Sequence, residues 1–359
     1  MDTTRPSTLL GGLSPASFMK RHWQKKPLLV RNAIPGFKPL LTRQALFGLA
    51  ARDEVESRLV ARDGRGWRMQ RGPFGRRALP PLQQARWTLL VQGVDLHDAG
   101  VHALLHGFSF VPAARLDDLM ISYASDGGGV GPHFDSYDVF LLQAQGRRRW
   151  RIGRQDDFTL QDGVPLKILR NFQAEEEFVL EPGDMLYLPP RYAHDGVAVG
   201  GDCQTYSIGF RSPTRAELAR ELLQRVADEA GDLDERLYRD PAQPATDAPG
   251  AIPAGLRGFA QDAIAAALKD PDALDRALGE YLTEPKAGVW FEPADTASLP
   301  AAVVLDRRTR MLHDARHVFV NGESWRAGGR DATLMRRLAD ARALSARELG
   351  SASDAARIR

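Results

Sequence analysis

Three side chains in this sequence have the chemistry and spacing to hold a transition metal: His133, Asp135 and His194. His133-Phe134-Asp135 falls in a stretch, 133–142, that reads as a β-strand, where residues i and i+2 point to one face. An imidazole and a carboxylate are then presented side by side. The third ligand has to come from elsewhere. His194 follows Glu181-Pro182-Gly183-Asp184-Met185-Leu186-Tyr187-Leu188-Pro189-Pro190, a turn, an apolar strand and a Pro-Pro stop that delivers the histidine. Two histidines and one carboxylate leave about three open positions on an octahedral ion, the usual way to hold iron(II) for oxygen chemistry. An H-x-D tripeptide alone is common. Its weight here comes from the glycine-rich approach, the strand and the distal histidine. His22, His102 and His313 lack such surroundings and read as surface or core residues.

Arg148 is an independent clue. In Arg147-Arg148-Arg149-Trp150-Arg151-Ile152, period-two alternation puts Arg148, Trp150 and Ile152 on one face. If Trp150 and Ile152 face inward, so does Arg148. A buried guanidinium needs an anionic partner. That partner is either the carboxylate of a cosubstrate or a structural Asp or Glu. Tyr137 shares the strand parity of His133 and Asp135, and lines a substrate pocket or fills core. Asp118 and Asp126 flank the sheet, where they either attract a cationic substrate or cap turns. Gly127-Gly128-Gly129-Val130-Gly131 lacks the Lys-Ser/Thr of a phosphate loop and leads into Pro132-His133, not a helix. It reads as a flexible connector to the metal strand.

The elements that must position these residues are mostly short strands. Leu119–Tyr123, 133–142, 147–152 after Gly146, 178–180, 185–188, 197–199 and 205–210 form a series with Gly/Pro turns, the signature of a β-sandwich or barrel. Before it, Ser14-Pro15 marks a helix start, Leu28-Leu29-Val30 a short strand, and 42–52 and 96–107 two helices. After it, Thr214 and Glu217 make a capping box, and Leu218, Leu222 and Val226 share one helical face. The Pro/Ala-rich stretch 241–255 is expected to be a loop. Helices are expected at about 255–268 and 272–282. The rest mixes short strands (289–291, 317–320) with a helix over 332–342 and a possible capping box at Ser345 and Glu348.

Composition narrows the class. The chain has 359 residues, 43% hydrophobic and 26% charged, an ordinary globular balance that predicts two or three units. A formal net charge of +2 gives no reason to expect a strongly nucleic-acid-seeking surface, though it leaves room for a local basic patch. Cys203 is the one cysteine, which excludes an intrachain disulfide and a thiolate zinc site. Residues 1–10 have no apolar signal core and no stretch is long enough to span a bilayer, so the expected compartment is the cytoplasm.

The stretch Leu116-Asp117-Asp118-Leu119-Met120-Ile121-Ser122, then Gly-Gly-Gly-Val-Gly-Pro-His133-Phe-Asp135-Ser-Tyr137-Asp-Val-Phe, resembles the JmjC-type, cupin-fold oxygenases. Gly146-Arg-Arg148-Arg-Trp150-Arg-Ile-Gly, the Pro-Gly-Asp segment with His194, and Tyr206-Ser207-Ile-Gly-Phe-Arg211 extend it. With Trp23-Gln24-Lys25-Lys26-Pro27-Leu28, the chain is most similar to the bacterial ribosomal oxygenases. These motifs cover roughly residues 14–212. The resemblance implies a double-stranded β-helix (cupin/JmjC) oxygenase domain over 1–212. It also implies a helical dimerisation region over 213–284 and a small α+β winged-helix-like module over 285–359. His133, Asp135 and His194 are then expected to hold iron(II). Arg148 is expected to pair with the distal carboxylate of 2-oxoglutarate, with Ser207, Ser122 and Met120 lining that pocket. Tyr137 and one of Asp118 or Asp126 are expected to meet the target side chain. The implied reaction uses dioxygen to hydroxylate an arginine β-carbon of the sixteenth protein of the large ribosomal subunit. Two other readings keep the metal: an oxygenase acting on RNA, and a non-enzymatic cupin scaffold.

Overall fold

The structure is a computed structural model and describes residues 2–75, 77–229, 236–292 and 302–350. The chain divides into two units, Met1–Ser212 and Pro213–Arg359.

The first unit opens with α1 (Pro15–Arg21), β1 (Leu28–Val30) and α2 (Arg43–Ala50), followed by β2 (Ser57–Asp63), β3 (Gly66–Arg71) and β4 (Trp87–Val91). After α3 (Ala99–His106) come β5 (Leu116–Ala124), β6 (Val139–Gly153), β7 (Glu176–Leu180), β8 (Met185–Leu188) and β9 (Ala193–Phe210). Ser14 caps α1 by accepting the Ser17 N–H, with Pro15 in the first helical position. The sheet runs β1-β8-β6-β9-β5-β4-β2-β3, and β7 pairs with β6. All its pairs are antiparallel.

Two strands are longer than the sequence suggests. The separate strands expected at 133–142 and 147–152 are one strand, β6, which starts only at Val139. Those expected at 197–199 and 205–210 are likewise one strand, β9. Residues 133–138 lie outside the ladder, where Pro132 lacks an N–H to donate and Gly131 takes φ +79°. His133 is tied to β9 by an isolated bridge to His194 instead. The β6–β9 register shifts between Gln143 and Gln145 and again before Arg147. Such irregularities re-aim side chains. Val139 and Leu141 therefore share one core cluster with Trp150 and Ile152, although their numbers differ in parity.

The Gly127–Gly131 connector is pinned, which corrects the expectation of a flexible segment. Gly127 donates to the Ala198 carbonyl, and Ala198 donates back to the Gly128 carbonyl. A Cβ on Gly129 would sit 2.5 Å from the Gly196 carbonyl oxygen. Only glycine lets this backbone lie so close to β9.

The main core gathers Phe18, Trp23, Phe108, Phe140, Tyr187 and Phe210. At its edge Asp138, fully buried, accepts bonds from Tyr187 (2.6 Å), Gln24 (3.1 Å) and Arg115 (3.3 Å). This ties the α1–β1 segment to the start of β6.

The second unit contains α4 (Arg215–Glu229), α5 (Ala254–Ala267), α6 (Ala273–Thr283), β10 (Val303–Val304), β11 (Met311–His313), β12 (His317–Val320) and β13 (Glu323–Arg326). It closes with α7 (Gly329–Ala341), β14 (Ala343–Leu344) and α8 (Ala346–Leu349). Strands β11, β12 and β13 form an antiparallel sheet. Both capping boxes form, Thr214 with Glu217 and Ser345 with Glu348. Residues 289–291, expected as a strand, belong to no strand, and the turn at Ala287-Gly288 precedes them. Helix α6 packs on the β-sheet: Gly279 faces the Phe319 ring, and Ser324 donates to Glu280. It also shares a small apolar cluster with α4, where Val226 meets Ala273 and Ala277. Residues 293–301 and 351–359 of the expected module lie outside the described residues. Among those described, no helix is long and apolar enough to cross a membrane.

Candidate metal centre

Strand β9 brings His194 up beside the 133–135 segment. Two reciprocal backbone bonds, His133 N–H to the His194 carbonyl (3.0 Å) and His194 N–H to the His133 carbonyl (2.8 Å), fix the two residues together. Their rings stand 4.3 Å apart. The backbone N–H of Arg191 donates to the Asp135 carbonyl (2.7 Å) and holds the third residue against the same turn. One donor atom from each of His133, Asp135 and His194 lies within 4.8 Å of the others. Residues 133–135 are not in a regular strand, so the bridge to His194 and the Arg191 bond, not strand parity, bring the three together.

The tautomers suit a metal. His133 Nδ1 is 2.9 Å from the Gly131 carbonyl, and His194 Nδ1 is 3.0 Å from the Tyr192 carbonyl. A carbonyl only accepts, so each Nδ1 carries the proton and each Nε2 keeps a lone pair. His194 Nε2 lies 3.6 Å from an Asp135 oxygen. Burial, then the neighbouring His133, hold the His194 pKa down at about 4, so its ring is neutral at physiological pH. Neutral imidazoles and a carboxylate are the donor set of a facial iron(II) site.

Arg148 is buried, as are Trp150 and Ile152, while Arg147 and Arg149 are exposed. Its Nη1 donates to Ser122 Oγ (3.3 Å) and Thr205 Oγ1 (3.5 Å), and its Nη2 to the Gly196 carbonyl (3.1 Å). Among the described residues no carboxylate pairs with it, and its Nε has no hydrogen-bond partner. Burial pulls its pKa below the usual guanidinium value. The structural-carboxylate alternative is thereby removed, leaving a buried cation without its anion.

Cross-strand pairs order the rest of the pocket. Ser122 pairs with Thr205, and Met120 with Ser207. Next along the face, Asp118 and the Tyr137 ring both approach Gly209. The stripe runs from the Arg148 floor to Tyr137, which is 41% exposed at the rim. Burial of its ring, with Asp135 and Asp118 nearby, raises the Tyr137 phenol well above its ordinary pKa. Asp118 is buried and accepts from Gly93 N–H and Gln92 Nε2. Asp126 is exposed and accepts the Gly200 N–H, six residues past His194 along β9, so Asp118 and not Asp126 joins the stripe.

Sequence reading missed Thr205 and Gly196. Thr205 touches Arg148 as the cross-strand partner of Ser122, which accepts from the same Nη1. Gly196 accepts from Arg148 and leaves room for Trp150, whose ring carbons would lie 2.5–2.6 Å from a Cβ there. Its position opposite Trp150 appears only once the β6–β9 register is known.

An antiparallel sheet with two histidines and an aspartate gathered at the start of one strand, and a buried arginine on the neighbouring strand, defines the JmjC class of metal-dependent oxygenase folds. A JmjC domain matches residues 103–218, and a ROXA-like winged helix matches residues 266–359. The chain is 33% identical over 348 residues to the ribosomal protein uL16 3-hydroxylase of Escherichia coli (strain K12), covering 93% of this chain and 91% of that one. It is 35% identical over 227 residues to a probable ribosomal oxygenase of Haemophilus influenzae, covering 62% of this chain and 55% of that one. The structure matches that of E. coli YcfD with a TM-score of 0.81 at 30% identity, over 95% and 93% of the two chains. It matches the E. coli ribosomal oxygenase YcfD in complex with cobalt and 2-oxoglutarate with a TM-score of 0.77 at 30% identity, over 96% and 92%. The chain belongs to the ribosomal oxygenase family of JmjC proteins.

Proposed function

We propose that this protein is an iron(II)- and 2-oxoglutarate-dependent hydroxylase of ribosomal protein uL16, acting on an arginine β-carbon. The observation that carries it is the pairing of the two halves of the pocket. His133, Asp135 and His194 are set to bind a divalent ion, and Arg148 is a buried cation lacking an anion. A five-carbon diacid satisfies both, with its keto-acid end at the metal and its distal carboxylate on Arg148. Bound iron(II) supplies the oxidative chemistry: 2-oxoglutarate and dioxygen give succinate, carbon dioxide and one oxygen atom for the target C–H bond.

The protein's own residues do the positioning. Arg148, with Ser122 and Thr205 beside it, fixes the cosubstrate, and Met120 and Ser207 form the wall between the carboxylate floor and the rim. Tyr137 and Asp118 receive the target arginine, the ring against the guanidinium plane and the carboxylate against its charge. A guanidinium buried without a carboxylate partner suits a bound anion, which weighs against a scaffold role with no ligand.

We also propose that α4 and α5 form a homodimer contact. Leu223, Leu256, Phe259, Ile264 and Leu268 are exposed on these helices, and α5 buries no residue. In support of the substrate, the E. coli relative is named for uL16. The test is to incubate purified protein with iron(II), 2-oxoglutarate and uL16, following succinate and the mass of uL16.

A further inference from the structure

One stretch of the first unit departs sharply from the near-neutral balance of the chain. Between Ser57 and Trp87 stand eight arginines, no lysine and a single carboxylate, Asp63, in a protein whose total charge is +2. Strands β2 and β3 carry four of the eight, Arg58, Arg62, Arg68 and Arg71, with Arg65 in the turn between them, and β3 is the free edge of the sheet. Arg58 and Arg71 are directly opposed across the two strands, as are Arg62 and Trp67. Like charges in register cost stability, and a bound anion relieves that cost.

Local carboxylates do not neutralise this edge. Arg68 pairs with Asp63, and Arg58 reaches Glu56 only at 3.9 Å. Among the described residues Arg62, Arg65, Arg71 and Arg77 have no carboxylate partner. Arg62 instead stacks on the half-buried Trp67, 5.2 Å from its ring centre. Protecting an edge strand from aggregation takes a charge or two. It requires neither a one-signed run nor an aromatic platform.

The edge also borders the pocket. One row of cross-strand partners runs Arg71, Arg58, Leu90, Ser122, Thr205, so the two arginines lie on the sheet face that holds Arg148. At the other end of the hairpin, Trp67 lies against Gly131, two residues before His133.

We infer that this arginine-rich hairpin edge is an RNA-binding surface beside the pocket mouth, with guanidiniums on phosphates and Trp67 open to a base. Arginine is the residue of choice for phosphate, and a Trp–Arg stack is a platform for unpaired bases. The choice of RNA over another polyanion rests on the proposed ribosomal target.

The experiment is fluorescence anisotropy of the full chain with a labelled single-stranded RNA, an RNA duplex and polyglutamate across a salt series. Micromolar binding of single-stranded RNA is expected, with a log–log salt slope of roughly −2 to −3 for three or four phosphate contacts. The triple variant Arg62→Gln, Arg65→Gln, Arg71→Gln should lose about tenfold or more in affinity and flatten that slope. Trp67→Ala should weaken single-stranded RNA more than duplex. A control triple on α4 and α5, Arg215→Gln, Arg220→Gln, Arg257→Gln, should bind as wild type. Hydroxylation of a short uL16 peptide should be unchanged in the hairpin triple, so failure of this surface is separable from failure of the hydroxylase reading. The inference is overturned by no RNA binding at low salt, by equal loss in the control triple, or by polyglutamate binding as tightly as RNA.

Discussion

At the scale of single residues, the pocket holds a buried charge that no carboxylate among the described residues balances. That charge is Arg148. Replacing it with Gln should raise KM for 2-oxoglutarate by roughly 30- to 1000-fold, the cost of removing one partner of a desolvated charge pair (about 2–4 kcal/mol), while manganese binding to the ligand-free protein is unchanged. The buried, unpaired charge also predicts an effect on stability. Arg148→Met should melt no lower than wild type without ligand, since a buried charge lacking its partner is destabilising. Saturating 2-oxoglutarate with manganese should then raise the melting temperature of wild type much more than that of the variant. A calorimetric scan checks both, and a marked loss of stability in the unliganded variant would contradict the reading of Arg148. The triad makes a parallel statement: Asp135→Ala should lose manganese affinity by about 100-fold or more, because a ligand matters at least as much as the partners behind it.

At the scale of elements, β1, β8 and the turn between β7 and β8 form a clamp that holds β8 beside β6. Asp184 is its centre, accepting from Arg31 (2.6 Å), Asn32 N–H (2.8 Å) and Glu181 N–H (3.1 Å). Burial alone would raise its pKa, but these donors together hold it below the ordinary carboxylate value of 3.8. A depressed carboxylate contributes stability above its unfolded pKa and loses it as pH falls through the folded one. The fold should therefore weaken as pH drops below about 4. Asp184→Asn should lose about 1–3 kcal/mol at pH 7 and show a shallower acid dependence, measured by urea unfolding at several pH values. This turn was legible in the sequence as Pro-Gly-Asp before an apolar strand. So were His133, Asp135 and His194, and so was the inward side of Arg148, because alternation survives within each half of β6. Two things were not legible. The register shift around Gly146 joins halves of opposite parity, and no local pattern announces it. Strands β2 and β3 went unrecognised because arginine occupies positions where a half-buried strand normally shows apolar alternation, and β4 because it is a five-residue, nearly all-apolar run that shows no alternation.

At the scale of the whole molecule, the exposed apolar residues of α4 and α5 predict association. Light scattering at micromolar concentration should give about twice the chain mass of 39.6 kDa, and Leu256→Ser with Phe259→Ser should halve it without unfolding the chain. A wild-type monomer would remove the dimer proposal and leave the pocket untouched. The central claim is that one pocket joins the metal triad to the Arg148 anchor and directs oxygen to uL16. Mass spectrometry of uL16 after incubation with the protein, iron(II), 2-oxoglutarate and air tests it most directly. The expected result is uL16 heavier by one oxygen on a single arginine β-carbon, with one succinate formed per hydroxylation and no gain with Asp135→Ala. Unmodified uL16, or the same gain from the Asp135→Ala variant, would contradict it.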